Sequence, residues 1–248
     1  MKWIDTLDQS AKTWRLFLYF GNEPKANQRL LEAYLSMMST KDAQKLAYQN
    51  TSKFIYFLKQ GEIYFRTAKQ SERMVQPLLL YYGMISMLKA LLLFKDPHYP
   101  KSTSVLQHGL TTRKKKKLHY LFQEDEVKVQ KDGLIPHFAK VYLNQALTIH
   151  QKYKVSHLLT SLPELDDCCR LLWGGRGANL ESLAAELDEL IVFNMIMYVL
   201  SMLCRYDTEA WGEILFSFGS SELYVIEEFL NLTFLKYPPL ILDHLFAT

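Results

Sequence analysis

Apolar positions recur with helical spacing near the start of the chain. Residues 14–18 and 30–35 place apolar side chains at i, i+3 and i+4, the spacing of a helix that buries one face. Between them, residues 21–24 read Gly-Asn-Glu-Pro, a composition typical of a turn. We therefore expect two helices joined by a short turn.

The next apolar face predicts a helix from Thr40 to Gln60, with Thr40 as its N-cap. Gly61 interrupts the pattern, and residues 63–71 resume it in the same phase. We expect the helix to be broken at Gly61 and to continue beyond it.

Residues 77–94 form the most apolar segment of the chain. Pro77 is suited to the first turn of a helix, and the pair Asp96-Pro97 ends the pattern. A helix that is apolar on nearly every side is surrounded by other helices. This segment therefore predicts the central helix of the fold.

The pattern changes over residues 118–135, where short apolar and polar stretches alternate around acidic and Asp-Gly turns. This alternation favours a small β-hairpin or ribbon. Helices are expected again over residues 136–150 and after Ser156, with loops at 162–163 and 173–175.

The last part of the chain predicts one helix over residues 179–206, with a break near 187–190, and another over 221–235. Pro238-Pro239 then precedes a short apolar segment. The fold class is all-α: a bundle-like single domain, residues 1–248, of eight to ten helices. The basic loop and β-ribbon would form an insertion at about 96–135.

Composition is ordinary for a globular protein, but the charge is unevenly distributed. The chain has 49% apolar residues, 22% charged residues and a net charge of +3. Residues 95–131 contain nine Lys or Arg against four Asp or Glu, so this segment carries +5 and the remainder −2. Positive charge is therefore a local surface feature rather than a global bias.

The cysteines and the two long apolar runs indicate the cellular compartment in which the protein is expected. Three cysteines, two of them adjacent, fit neither a disulfide framework nor a Cys-x-x-Cys metal site, which favours a reducing compartment. The apolar run 77–94 barely reaches the length of a membrane-spanning helix, and the run 190–204 is too short for one. We expect both to be core helices of a cytoplasmic protein without membrane association.

Two blocks, residues 77–117 and 198–215, resemble the YaaC-like proteins of Gram-positive bacteria. The resemblance covers most of the chain and implies a cytoplasmic bacterial protein. The tyrosine-rich helix followed by a histidine-bearing loop is also similar to the helical HEPN superfamily, whose members include ribonucleases and nucleotide-binding modules. Likeness of fold does not by itself transfer function.

The loop after the central helix carries the main candidate binding site. Lysines supply charge for phosphate and arginine adds bidentate geometry, while a glycine beside two hydroxyls can form an anion nest. The alternative is a solvated loop that only keeps the protein soluble. The candidate ligand-binding residues are His108, Thr111, Thr112, Arg113, Lys114, Lys115, Lys116 and Lys117.

Arg205, at the end of an apolar helix, is a candidate second contact and could face a pocket floored by Tyr81 and Tyr82. Alternatively, it ties two helices together or pairs with Asp207 or Glu209. Lys89, surrounded in sequence by apolar residues, must reach water or a carboxylate.

Arg113 and His119 match the spacing of the HEPN ribonuclease motif, an arginine followed four to six residues later by histidine. The lysine-rich stretch between them does not resemble the helix that carries that motif. No other catalytic arrangement is visible, and the scattered histidines predict neither a metal site nor a cofactor.

The leading hypothesis is a non-catalytic protein that binds the phosphate of a nucleotide or RNA. The alternatives are a metal-independent ribonuclease using Arg113 and His119, and a scaffold for a protein partner. The oligomeric state is left open.

Overall fold

Helices make up most of the computed structural model, which describes residues 2–112, 120–173, 183–217 and 221–247. Ten α-helices lie within these ranges, confirming the predicted all-α class. They are α1 (Lys2–Phe20), α2 (Glu23–Leu35), α3 (Thr40–Gln70), α4 (Gln76–Lys95), α5 (Leu134–Val141), α6 (Val155–Thr160), α7 (Pro163–Trp173), α8 (Glu189–Tyr206), α9 (Thr208–Phe216) and α10 (Glu222–Ala247).

The two most apolar helices, α4 and α8, form the centre of the core. Both are buried along almost their whole length, and they pack against each other. As predicted, α4 has proline in its first turn and ends at Asp96. Because neither helix has a solvent face of its own, the remaining helices surround them.

Length and composition alone would allow α4 and α8 to cross a membrane. Within the protein, however, 78% of the apolar window of α4 and 72% of that of α8 are buried. Core helices of soluble proteins have the same properties, so these two helices are weak evidence for a membrane.

Helix α3 runs through Gly61 without a break, so the expected interruption there is wrong. The cause is tertiary packing, because α3 and α4 lie antiparallel at very short range. A Cβ atom on Gly61 would come 2.7 Å from Cγ of Met87 and 3.2 Å from the carbonyl oxygen of Gly83. Gly61 therefore permits close helix packing instead of ending the helix.

Three other expected boundaries are wrong. The N-cap of α3 is Ser39, whose hydroxyl accepts from the backbone N–H of Asp42. Helix α5 ends at Val141 and does not reach residue 150, since Asn144 and His150 have φ values of 53° and 68°, outside the right-handed helical region. Helix α10 continues through Pro238 and Pro239, where burial of the apolar segment outweighs the missing backbone hydrogen bonds.

The predicted β element is a three-stranded antiparallel sheet of β1 (Leu110–Thr112), β2 (Glu126–Val129) and β3 (Lys152–Lys154). Only the central strand, β2, lies within the segment where the ribbon was expected. Leu110 pairs with Val129 and Thr112 with Val127. The sheet packs against α8, which places the end of the His108 loop beside the core.

Candidate functional site

A tyrosine–histidine cluster lies where α4 and α8 meet β1. The hydroxyl of Tyr81, on α4, lies 2.8 Å from Nδ1 of His108, just before β1. Tyr198, on α8, lies beside both, with ring centroids 5.7 Å from Tyr81 and 5.6 Å from His108. Its hydroxyl donates to the carbonyl oxygen of Leu110 at 2.9 Å. The two tyrosines thus fix His108 and β1 against the core.

Arg205 lies near this cluster because the end of α8 is tied to the start of α4. The thiol of Cys204 and the indole N–H of Trp211 both donate to the carbonyl oxygen of Met74, at 2.9 and 3.1 Å. Arg205 donates from Nε to the carbonyl oxygen of Ser201, one helical turn earlier on α8, at 3.2 Å.

The guanidinium group of Arg205 also lies 5.0 Å from the ring centroid of Tyr206. The pairing with Asp207 or Glu209 considered from the sequence is not found among the described residues. The guanidinium also donates from Nη2 to Sδ of Met202 at 3.3 Å, so only its remaining N–H groups are left for a ligand.

Burial sets the protonation of Tyr81 and His108. It raises the pKa of Tyr81 well above its usual range, so the phenol stays protonated. Burial lowers the pKa of His108, and the positive charges of Arg205 and Lys89 lower it further. The direction of the Tyr81–His108 hydrogen bond depends on the tautomer of the neutral imidazole. In the tautomer that accepts from Tyr81 at Nδ1, the ring hydrogen lies on Nε2 and can be donated to a ligand.

Lys89 contributes a second positive charge. Its Nζ lies 5.9 Å from the ring centroid of Phe57, and burial lowers the pKa of its ammonium group. Among the described residues, no carboxylate forms an ion pair with Lys89, Arg205 or His108. The site therefore carries positive charge without a described counter-charge, which favours an anion.

The candidate basic run and the proposed ribonuclease pair, Arg113 to Lys117 and His119, lie outside the described residues. Both described ends of this segment attach to one end of β2. Thr112 pairs with Val127, and the hydroxyl of Tyr120 donates to Oδ2 of Asp125 at 2.7 Å. Asp125 immediately precedes β2, so the two described residues that flank this segment, Thr112 and Tyr120, both lie at the start of β2.

Thr111 and Thr112 are half-buried strand residues of β1. The glycine before them, Gly109, has a φ of 78°, and its Cα lies against Gly133, where added Cβ atoms would collide. This close backbone contact accounts for glycine at position 109. An anion nest there remains a prediction.

Sequence reasoning named His108, Arg205 and Tyr81, but it missed Tyr198 and the hydrogen bonds by which both tyrosines position His108 and β1. Tyr198 and Arg205 are seven residues apart and so share one face of α8, which was a usable signal. Metal chemistry has no support, because no three His, Cys, Asp or Glu side chains in the described ranges are grouped to hold an ion.

The protein thus combines a helical core, a small sheet and the half-buried basic side chains Lys89, His108 and Arg205. The model of the YaaC-like protein family matches residues 18–181 and 177–245, and the chain belongs to this family. The resemblance seen in the sequence is thereby confirmed. No curated protein and no solved structure was found to match the chain.

Proposed function

We propose that this protein binds a phosphate-bearing ligand, a nucleotide or RNA, without catalysing a reaction on it. The observation that carries this proposal is that the positive charges of Arg205 and Lys89 both act on His108 and lower its pKa, while none of the three forms an ion pair with a carboxylate among the described residues. Burying positive charge is costly unless an opposite charge accompanies it. A phosphate would supply that charge and occupy the free donors.

Each side chain would have a separate part in binding. Arg205 presents a planar guanidinium group, which suits bidentate contact with phosphate oxygens. His108 donates from Nε2 and gains a proton more readily once an anion is near. The basic run, Arg113 to Lys117, would add long-range attraction that weakens as salt screens it.

The test is a thermal-shift titration of the full chain with ATP and inorganic tripolyphosphate at low and high salt. A ligand that binds only the folded state raises the apparent melting temperature. We expect stabilisation at low salt that decreases at high salt. Replacing all four lysines, Lys114 to Lys117, by glutamate should abolish it while leaving the unliganded melting temperature nearly unchanged.

The same experiment separates the alternatives. No stabilisation by either compound at any salt would contradict the proposal and favour a role in binding proteins. Cleavage of RNA without metal, lost on Arg113→Ala or His119→Ala, would instead identify a ribonuclease. No described residue currently favours that activity over simple binding.

A further inference from the structure

Helix α3 carries a positive outer surface that charge counting along the sequence missed. The helix contains six lysine and arginine residues and only two acidic residues, a net charge of +4. Acidic residues elsewhere outweigh this charge, so the chain outside residues 95–131 is −2 in total even though α3 is positive. Since its apolar residues face α2 and α4, most of its charges face solvent.

A groove of about 1010 Å³ runs along this surface. All of its described lining residues belong to α3, and none of them is acidic. They are Gln49, Ser52, Lys53, Tyr56, Phe57, Lys59, Gln60, Ile63 and Tyr64. The lining therefore combines aromatic rings, lysines and hydrogen-bonding amides.

The groove is long, and Tyr56 is its exposed aromatic side chain. From Gln49 to Tyr64 the helix rises roughly 22 Å, at about 1.5 Å per residue, which exceeds the reach of a single nucleotide. Tyr56 is 68% exposed, and Tyr48, which precedes the groove by one residue on α3, is 77% exposed. Tyrosine rings left in water beside lysines provide surfaces on which successive bases can stack.

The groove touches the phosphate site described above at Lys89. Its residue Phe57 lies under the ammonium group of Lys89, with 5.9 Å between Nζ and the ring centroid. Its residue Tyr64 stacks on Tyr82 at 5.9 Å, and Tyr82 packs against the buried ring of Tyr81 at 6.1 Å. A strand lying in the groove would therefore pass beside Lys89.

We propose that a single strand of nucleic acid binds along α3, stacking bases on Tyr48 and Tyr56 and placing one phosphate beside Lys89. This inference rests on the proposed function and extends it from a phosphate to a polynucleotide. The lysines of the lining favour an anionic ligand. The rings spaced along the helix favour an anion that carries successive bases, which is a nucleic acid strand. The bases of a duplex are already stacked on one another, so they cannot stack on these tyrosine rings.

The test is fluorescence anisotropy with labelled single strands of about 12 nucleotides, one of RNA and one of DNA, and a blunt duplex of the same length. We expect the single strands to bind more tightly than the duplex. The double variant Tyr48→Ala with Tyr56→Ala should weaken single-strand binding at least about tenfold. Its matched control, Tyr48→Phe with Tyr56→Phe, should retain the affinity, because stacking needs only the ring.

Two results would overturn this inference: equal affinity for strand and duplex, or unchanged affinity in the alanine double variant. If neither strand binds while ATP or tripolyphosphate still stabilises the chain, the polynucleotide inference fails and the phosphate site stands. If the alanine double variant loses strand binding but keeps that stabilisation, both proposals are supported. If neither the strands nor the phosphates bind, both fail.

Discussion

The hydroxyl of Tyr81 lies 2.8 Å from Nδ1 of His108. This hydrogen bond joins the most buried helix to the loop that leads into the basic run. Because Nδ1 of His108 is engaged by Tyr81, only its other ring nitrogen, Nε2, is left for a ligand. The hydrogen bonding of His108 thus depends on a side chain of the buried core.

Replacing Tyr81 by phenylalanine tests this relationship. The variant leaves Nδ1 of His108 without its described donor, so we expect the affinity for ATP to fall roughly fivefold, about 1 kcal/mol. NMR titration of the His108 ring should show a changed pKa and tautomer. Tyr224→Phe, at an exposed position on α10, is the matched control, and equal losses in both variants would contradict the assigned role of Tyr81.

The pKa of His108 predicts how stability depends on pH. Its folded-state pKa is lowered below the unfolded value of 6.5, so the unfolded chain binds more protons there. The unliganded protein should therefore lose stability as pH falls below about 6.5, until the pH passes the folded-state pKa. Urea unfolding across this range measures the effect.

His108→Asn should remove that part of the pH dependence, because asparagine can accept from Tyr81 but does not titrate. An unchanged pH profile in this variant would show that other groups cause the loss. Binding has the opposite sign: an anion favours protonated His108, so affinity for ATP should rise as pH falls through the same range.

A pair of glycine substitutions tests the packing of α3 against α4. Gly61→Ala would force a Cβ atom to 2.7 Å from Cγ of Met87, and we expect a loss of about 1–3 kcal/mol in the free energy of unfolding. Gly212→Ala, in α9, meets no atom within 4 Å and should stabilise the protein by about 0.5–1 kcal/mol. Chemical denaturation of both variants checks the contrast, and a neutral Gly61→Ala would show that the helices can separate freely.

The central helices could be predicted from sequence because their composition alone identifies them. Pro77 and Asp96-Pro97 gave both ends of α4 correctly. Gly61 misled the prediction because helix propensity favours a break there, whereas contact with Met87 requires glycine. Local preference was overridden by a contact with a helix elsewhere in the chain.

The candidate site was predictable only in part. His108 and Arg205 are polar residues beside apolar segments, so they were recognisable without coordinates. Tyr81 and Tyr198 have the sequence signature of ordinary core aromatics, and only the fold shows their hydrogen bonds to the loop. The positive surface of α3 was missed because the net charge of a sequence segment does not show which face of a helix carries the lysines.

The central claim is that a phosphate binds at Arg205, and calorimetric titration of ATP into Arg205→Gln tests it most directly. Loss of a charge-assisted contact, about 1.5–3 kcal/mol, should weaken binding by roughly ten- to a hundredfold. Arg15→Gln, which removes the same charge from an exposed position on α1, should bind ATP like the parent chain. Equal affinity in all three proteins, or no binding by the parent chain, would contradict the proposed site.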